Sequence, residues 1–198
     1  MTSRERIECA LECKTPDRVP VSPFGLGRLD PEAEFTWEFI RAVDLFISPG
    51  LGGGNVFLGT GVQIEHRREG DTTFVTYHTP AGNLRSVYRH TAQTTGHVEF
   101  PCKTADDAEK LLSIPYEAPD PDPTEFFRWC DRVGDEGLCL AGIGSALCWA
   151  AEMFSPENFC LLWADAPDTL IEMTRVANER LCTWVERACR KGVSGFRI

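Results

Sequence analysis

The sequence has no run of apolar residues long enough to cross a membrane, and its N-terminus, MTSRERIE, lacks the apolar core of a secretory signal. It also has no excess of basic residues, because 30 Asp and Glu against 20 Lys and Arg leave a formal net charge of -10. A chain this acidic is not expected to bind nucleic acid or an anionic membrane surface. We therefore expect a cytoplasmic protein without a nucleic-acid or membrane partner.

The nine cysteines contain no CxxC pair, and their number is odd. In a chain without a secretory signal, this pattern favours a reducing compartment in which the thiols stay free. Cys9 and Cys13 lie one helical turn apart and could share a metal ion. Small thiols on an amphipathic helix are the preferred interpretation, so we expect no metal site in this chain.

The first 22 residues predict a capped helix followed by a short buried strand. Thr2 and Glu5 have the spacing of a capping box, and Pro16 is expected to end the helix. The run Val19 to Ser22 is short and mostly apolar, as is typical of a strand buried on both faces. In barrels and open α/β sheets, the loop after such a strand carries chemistry, and here that loop covers residues 23–28.

The rest of the chain predicts helices that alternate with strands, together with one antiparallel β-meander. Helices are expected over 31–43, 104–112, 124–132, 145–153, 156–163 and 168–190, and buried strands over 137–142 and 193–198. Strand-like runs at 62–68, 72–79 and 83–90, with a fourth at 98–100, predict the meander within residues 61–100. Segment 44–61 is expected to be a glycine-rich loop with short extended pieces. The fold class is therefore α/β.

The chain ends inside a predicted strand. A parallel sheet of three strands has two unpaired edges, and a barrel needs eight strands to close. We therefore expect the 198 residues to be the N-terminal part of a longer protein. A complete three-stranded domain is the less favoured alternative.

Two motifs indicate a family. Arg4-Glu5-Arg6 in the first helix, and Pro16-Asp17-Arg18-Val19-Pro20-Val21 after it, resemble the uroporphyrinogen decarboxylase superfamily. The resemblance is closer to the methyltransferase-like branch, which contains relatives of the cobalamin-dependent methyltransferases. It implies that residues 1–198 form the incomplete N-terminal portion of a (β/α)8 TIM barrel, with the meander at 61–100 as an insertion.

The loop after the first predicted strand supplies the first candidate substrate-binding residues, Phe24, Gly25, Gly27 and Arg28. Glycine allows the backbone to approach a ligand closely, and arginine binds a carboxylate or phosphate through two hydrogen bonds. A turn with a solvated arginine is an equally good interpretation of this loop.

Two further strand ends supply the other candidates. Gly144 and Ser145 follow the strand at 137–142, where free helix amides can bind an anion, although a tight strand–helix connection is preferred. Arg197 lies on the last predicted strand, where a charge is costly unless it is paired or near the rim of the sheet. No catalytic residue is assigned.

Two other patterns are less specific. The glycine-rich run at 50–54 matches neither the dinucleotide fingerprint nor the Walker pattern, so a flexible loop is preferred. His66, His78 and His90 all fall in the meander and could cluster around a metal ion. A solvated sheet face is the preferred interpretation of these histidines.

Comparison with the decarboxylases of the superfamily argues against their reaction. Their R-Q-A-G-R-Y-L-P-E-Y motif is matched by Gly27-Arg28 and by Pro31-Glu32, but Phe24 replaces its first arginine. Pro49 stands where the resemblance places the catalytic aspartate, and Glu152 corresponds to a third family position, a tyrosine. The missing arginine and carboxylate would orient the substrate and stabilise its cationic pyrrole, so authentic uroporphyrinogen decarboxylation is not expected.

The methyltransferase branch implies a different chemistry, in which zinc bound by a His-x-Cys pair and a distant Cys activates a thiol. That thiol takes a methyl group from a corrinoid. This chain contains no His-x-Cys, so zinc and a corrinoid are expected only for a full-length protein.

The expected function is therefore part of a corrinoid-dependent methyltransferase or demethylase, inactive as this segment alone. Its expected partners are a small-molecule substrate, a corrinoid protein and further copies of itself. The alternatives are a lyase that decarboxylates a tetrapyrrole-type acid and a non-catalytic, binding-only chain.

Overall fold

The computed structural model describes residues 1–23 and 33–198 and has a mixed α/β fold. The described residues contain no closed barrel. The elements are α1 (Ser3–Leu11), α2 (Glu34–Ala42), β1 (Leu45–Ile47), β2 (Gln63–Glu69), β3 (Thr72–Thr79), β4 (Gly82–His90), β5 (Thr95–Glu99), α3 (Ala105–Leu112), α4 (Thr124–Val133), a 3-10 turn (Gly134–Glu136), β6 (Gly137–Cys139), β7 (Ala141–Gly142), α5 (Ala146–Ala151), α6 (Pro156–Asp165), α7 (Pro167–Arg190) and β8 (Phe196–Arg197).

The chain divides into two compact units. The first unit comprises Met1–Gly52, Asp122–Ile143 and Ala188–Ile198, and the second comprises Gly53–Pro121 and Gly144–Arg187. The parallel strands belong to the first unit and the antiparallel meander belongs to the second.

The predicted capping box of α1 is confirmed. The Thr2 hydroxyl accepts a hydrogen bond from the Glu5 amide, and the Thr2 amide donates to the Glu5 carboxylate at 2.8 Å. The predicted end of this helix was wrong. The helix ends at Leu11 because Cys13 adopts the left-handed conformation, with φ at 57°, well before Pro16 can interrupt the helix.

The first unit contains a strand with a parallel partner on each side. β6 pairs with β1 and β7 pairs with β8, and β6 and β7 are two parts of one extended stretch. The Leu140 amide between them donates to the Ile47 carbonyl at 3.1 Å, and the Ala141 amide donates to the Gly195 carbonyl at 2.9 Å. Successive amides of an extended chain point to opposite sides, so this stretch is the central strand.

The prediction of a buried first strand at 19–22 was wrong, although the segment does lie beside β1. Val19 is 77% exposed and Val21 is 58% exposed. The Asp44 amide donates to the Val21 carbonyl at 2.8 Å, and the Phe46 amide donates to the Ser22 hydroxyl at 2.9 Å. Pro20 has no amide hydrogen, so the segment forms this partial pairing instead of a regular ladder.

The extended segments of the first unit therefore neighbour one another in chain order: 19–22, β1, β6–β7 and β8. The segment predicted as a loop over 44–61 contains β1, which was not predicted as a separate strand. The strand predicted at 137–142 is therefore the third parallel segment in this order and not the second. The last strand was predicted over 193–198 but covers only Phe196–Arg197, and Ile198 is 82% exposed, so it is not a buried strand.

The predicted meander is confirmed in the second unit. β2, β3, β4 and β5 form an antiparallel sheet in that order, and the fourth strand covers Thr95–Glu99 rather than 98–100. Leu84 of β4 joins the core of this unit, to which α3 contributes Ala108 and Leu111 and α7 contributes Leu170, Met173 and Ala177. Side chains cap α3 and α6, because the Thr104 hydroxyl accepts a hydrogen bond from the Asp107 amide and the Ser155 hydroxyl accepts one from the Asn158 amide.

Among the described residues, no helix combines the length and the apolar character needed to cross a membrane.

Candidate functional site

The rim of the first unit lies where its parallel strands end. Ser48 follows β1, and Arg197 is the last residue of β8. The Arg197 Nε donates a hydrogen bond to the Ser48 Oγ at 3.0 Å, and the Ile143 amide donates to the Arg197 carbonyl at 2.9 Å. These bonds hold three strand ends together at the edge where α/β folds carry their ligands.

Arg197 is available to a ligand at this rim. Its side chain is exposed, and no carboxylate among the described residues pairs with it. Because Ser48 uses only the Nε–H, the terminal guanidinium nitrogens are free to donate to a carboxylate or phosphate. The structure therefore places this predicted residue where an anion can reach it.

The other predicted rim residues of the first unit, Phe24, Gly25, Gly27 and Arg28, lie outside the described residues. The described segment 19–22, which precedes them in the chain, lies beside β1.

Gly144 and Ser145 belong to the second unit, whereas Ser48 and Arg197 belong to the first. The Ser145 hydroxyl accepts from the Cys148 amide at 3.2 Å and so caps α5, which has only six residues. A Cβ at Gly144 would lie 2.9 Å from the Nε1 of Trp149, so only glycine lets the indole pack against this backbone. These contacts fit the tight strand–helix connection preferred from the sequence.

A buried ion network joins the two family motifs. Asp44 is fully buried and accepts hydrogen bonds from Arg6 Nη1 at 2.6 Å, from Arg18 Nη2 at 3.0 Å and from the Val21 amide at 3.0 Å. Arg6 also donates two hydrogen bonds to Asp17, at 2.6 and 2.9 Å. The network fixes the segment before the first rim loop against β1, so we assign it a positioning role.

Opposing effects set the pKa of Asp44. Burial raises the pKa, but hydrogen bonds from the Val21 amide, Arg6 and Arg18 outweigh burial and lower the pKa to about 2. The hydrogen bonds from Arg6 likewise lower the pKa of Asp17.

We expect the protein to lose stability in acid as the pH falls from near 3.8, the ordinary pKa of Asp, toward about 2. Above this window, Asp44 is ionised in both the folded and the unfolded state, and its stabilisation is complete. Within the window, the unfolded chain takes up a proton first, so unfolding becomes more favourable. Urea unfolding of the wild type and of Asp44→Asn across this range measures the effect. Identical pH slopes for the two proteins would contradict it.

The second unit contains a cavity of about 350 Å³. Its wall consists of four rings, three apolar side chains, one amide, one carboxylate and one proline. These residues are Tyr77, Tyr88, His97, Phe100, Leu58, Leu111, Met153, Asn55, Glu152 and Pro101. Sequence reasoning singled out Glu152 only for its family position and did not find this cavity. In the structure, the register of β4 and β5 makes Tyr88 and His97 cross-strand neighbours.

The meander histidines do not form one cluster. The register places His66 and His90 on the sheet face that carries Tyr88, and it places His78 on the opposite face. His90 is bonded on both ring nitrogens, to Thr73 and Thr95, each at 2.9 Å. Across residues 1–23 and 33–198, no group of three or more His, Cys, Asp or Glu side chains could hold a metal ion.

No protein-family model, curated protein or solved structure matches the chain. The resemblance to the superfamily therefore rests on its two sequence motifs and stays a prediction.

Proposed function

We propose that the chain forms part of a uroporphyrinogen decarboxylase-like (β/α)8 barrel of the methyltransferase-like branch. The observation that carries the proposal is the neighbouring order of 19–22, β1, β6–β7 and β8, which is also their order in the chain. A barrel adds each parallel strand beside the preceding one, whereas the order in a doubly wound sheet reverses at a switch point.

The rim chemistry supports an anionic small-molecule substrate. Arg197 presents free guanidinium donors, and Ser48 holds that guanidinium in place through the Nε–H. Arg28, predicted from the sequence as a substrate-binding residue, is proposed as the second anchor. This local positive charge attracts an anion despite the net charge of -10.

The residues after β1 favour methyl transfer over decarboxylation. Ser48 and Pro49 follow this strand, so no carboxylate stands there to stabilise a cationic pyrrole. In the proposed reaction, Arg197 would bind the anionic group of a thiol substrate. The thiol would lose its proton and take the methyl group of a partner protein's methylcobalamin, which would leave as cob(I)alamin. The described residues do not fit a zinc site, so no step of this proposal involves zinc.

The test is demethylation of methylcobalamin by a full-length protein that contains this chain, followed by its absorbance, with 3-mercaptopropionate or 2-mercaptoethanol as the thiol. We expect turnover that prefers the anionic thiol. Arg197→Ala should lower the rate with 3-mercaptopropionate by about tenfold or more, since a hydrogen bond to a charged group contributes about 1.5–3 kcal/mol. The rate with 2-mercaptoethanol should not change.

Arg128→Ala is the matched control, because Arg128 is an exposed arginine of the same unit that pairs with Glu125 on α4. This variant should retain the wild-type preference for 3-mercaptopropionate over 2-mercaptoethanol. Absence of methyl transfer would overturn the proposed reaction. If the Arg197→Ala variant still preferred 3-mercaptopropionate, the proposed role of Arg197 in binding the anionic group would be wrong.

A further inference from the structure

We propose that the cavity of the second unit binds a small organic cation, such as an alkylated ammonium group. The cavity combines an aromatic wall with one unpaired carboxylate and has no basic side chain in its lining apart from a histidine. Neither Arg197 nor Ser48 takes part, so this proposal does not depend on the proposed function.

Three neighbouring rings, tilted by 33° and 36° to one another, form part of the aromatic wall. The ring centroids of Tyr88 and His97 are 4.1 Å apart, and those of His97 and Phe100 are 4.4 Å apart. Antiparallel pairing of β4 with β5 sets Tyr88 opposite His97, so the backbone register holds these two rings in place. The negative face of an aromatic ring attracts a cation that lies within about 6 Å of its centroid.

Glu152 supplies the carboxylate. It lies at the C-terminal end of α5, is exposed, and has no hydrogen-bond or ion-pair partner for its side chain among the described residues. The neighbouring amide is already in use, because Asn55 Oδ1 accepts from the Phe57 amide at 2.8 Å. Glu152 is therefore the lining group that remains free to pair with a charged ligand.

The other titratable groups of the wall favour the same ligand charge. Burial lowers the pKa of His97, so its imidazole is neutral near pH 7. Burial, together with the neighbouring Tyr77, raises the pKa of Tyr88 to about 12, so its phenol also stays neutral. The lining therefore presents one acidic side chain against neutral rings, which favours a cation and disfavours an anion.

The cavity size limits the ligand. Pockets for small molecules typically measure about 300–1,000 Å³, and this one, at about 350 Å³, lies near the lower limit. It suits an ammonium group that carries a few methyl or methylene groups, and it is too small for a nucleotide or a tetrapyrrole.

Isothermal titration of the full chain with two isosteric probes tests the proposal. Choline carries a trimethylammonium group, and 3,3-dimethyl-1-butanol carries a neutral tert-butyl group of the same shape. We expect choline to bind at least about tenfold more tightly, because a desolvated cation–π contact contributes about 2 kcal/mol. Equal affinities, or absence of choline binding at millimolar concentration, would overturn the proposal.

Substitution of Glu152 locates the site. Glu152→Gln should weaken choline binding by about tenfold and leave binding of the neutral probe unchanged. Because Glu152 is exposed, this variant should fold as the wild type does, and circular dichroism checks this. Glu157→Gln is the matched control, since Glu157 is an exposed acid of the same unit that does not line the cavity. Unchanged choline affinity in Glu152→Gln would place the bound cation elsewhere.

Discussion

Replacement of Asp44 with alanine is expected to lower the free energy of unfolding by about 3 kcal/mol or more. The side chain is fully buried and accepts hydrogen bonds from Arg6, Arg18 and the Val21 amide. Its removal leaves these donors without their acceptor, and breaking a buried ion pair typically costs about 3–5 kcal/mol. Urea unfolding followed by circular dichroism measures the loss.

Glu179→Ala is the control for this prediction. Glu179 also pairs with an arginine, Arg175, but both side chains are exposed. Exposed pairs contribute little to stability, so this variant should unfold close to the wild type. If Asp44→Ala were as stable as Glu179→Ala, the buried network would not hold segment 19–22 beside β1 in solution.

Replacement of Gly137 with alanine is expected to lower the free energy of unfolding by about 3 kcal/mol, the upper part of the range for overpacked sites. A Cβ on Gly137 would lie 2.4 Å from the carbonyl oxygen of Leu45 and 2.7 Å from its Cβ. The backbone at Gly137 is extended, so conformational strain is not the cause. The added methyl group instead forces β6 away from β1. Urea unfolding gives the stability loss, and faster amide hydrogen exchange in β1 and β6 locates it.

Gly50→Ala is the control for Gly137→Ala. Gly50 belongs to the same unit, and a Cβ there would meet no atom within 4 Å. Its substitution should change stability by less than about 0.5 kcal/mol. Equal losses for the two variants would show that β1 and β6 are not in close contact.

Local chemistry made the helices and the meander predictable. Thr2, Thr104 and Ser155 each cap a helix at the position that the sequence indicates. The turns around Gly70 and Gly82 contain glycines with positive φ, and they separate strands whose bounds were predicted to within one residue. These features depend on residues that are close in sequence.

Features that depend on distant neighbours were not predictable. β1 has three residues, too few for a periodic pattern, and its strand character comes from pairing with β6. The helix α1 ends early because Cys13 turns left-handed, which no residue-type preference indicates. Val21 is apolar in type but 58% exposed in the fold, which its residue type does not indicate.

The two candidate sites also differ in whether the sequence could predict them. The rim was predictable because the carboxyl ends of parallel strands meet at one edge, and this rule places Arg197 near other strand ends. The cation cavity was not predictable, because Asn55, Tyr88 and Glu152 come from separate parts of the chain. Their convergence is a property of packing.

The neighbouring order of the parallel segments is the central claim, and nuclear magnetic resonance couplings across hydrogen bonds test it most directly. We predict a coupling between the Leu140 amide nitrogen and the Ile47 carbonyl carbon, and another between the Ala141 amide nitrogen and the Gly195 carbonyl carbon. Together they would show a central strand bonded to β1 on one side and to the chain before β8 on the other. Rapid solvent exchange of both amides, or couplings to other segments, would contradict the strand order and the rim site that follows from it.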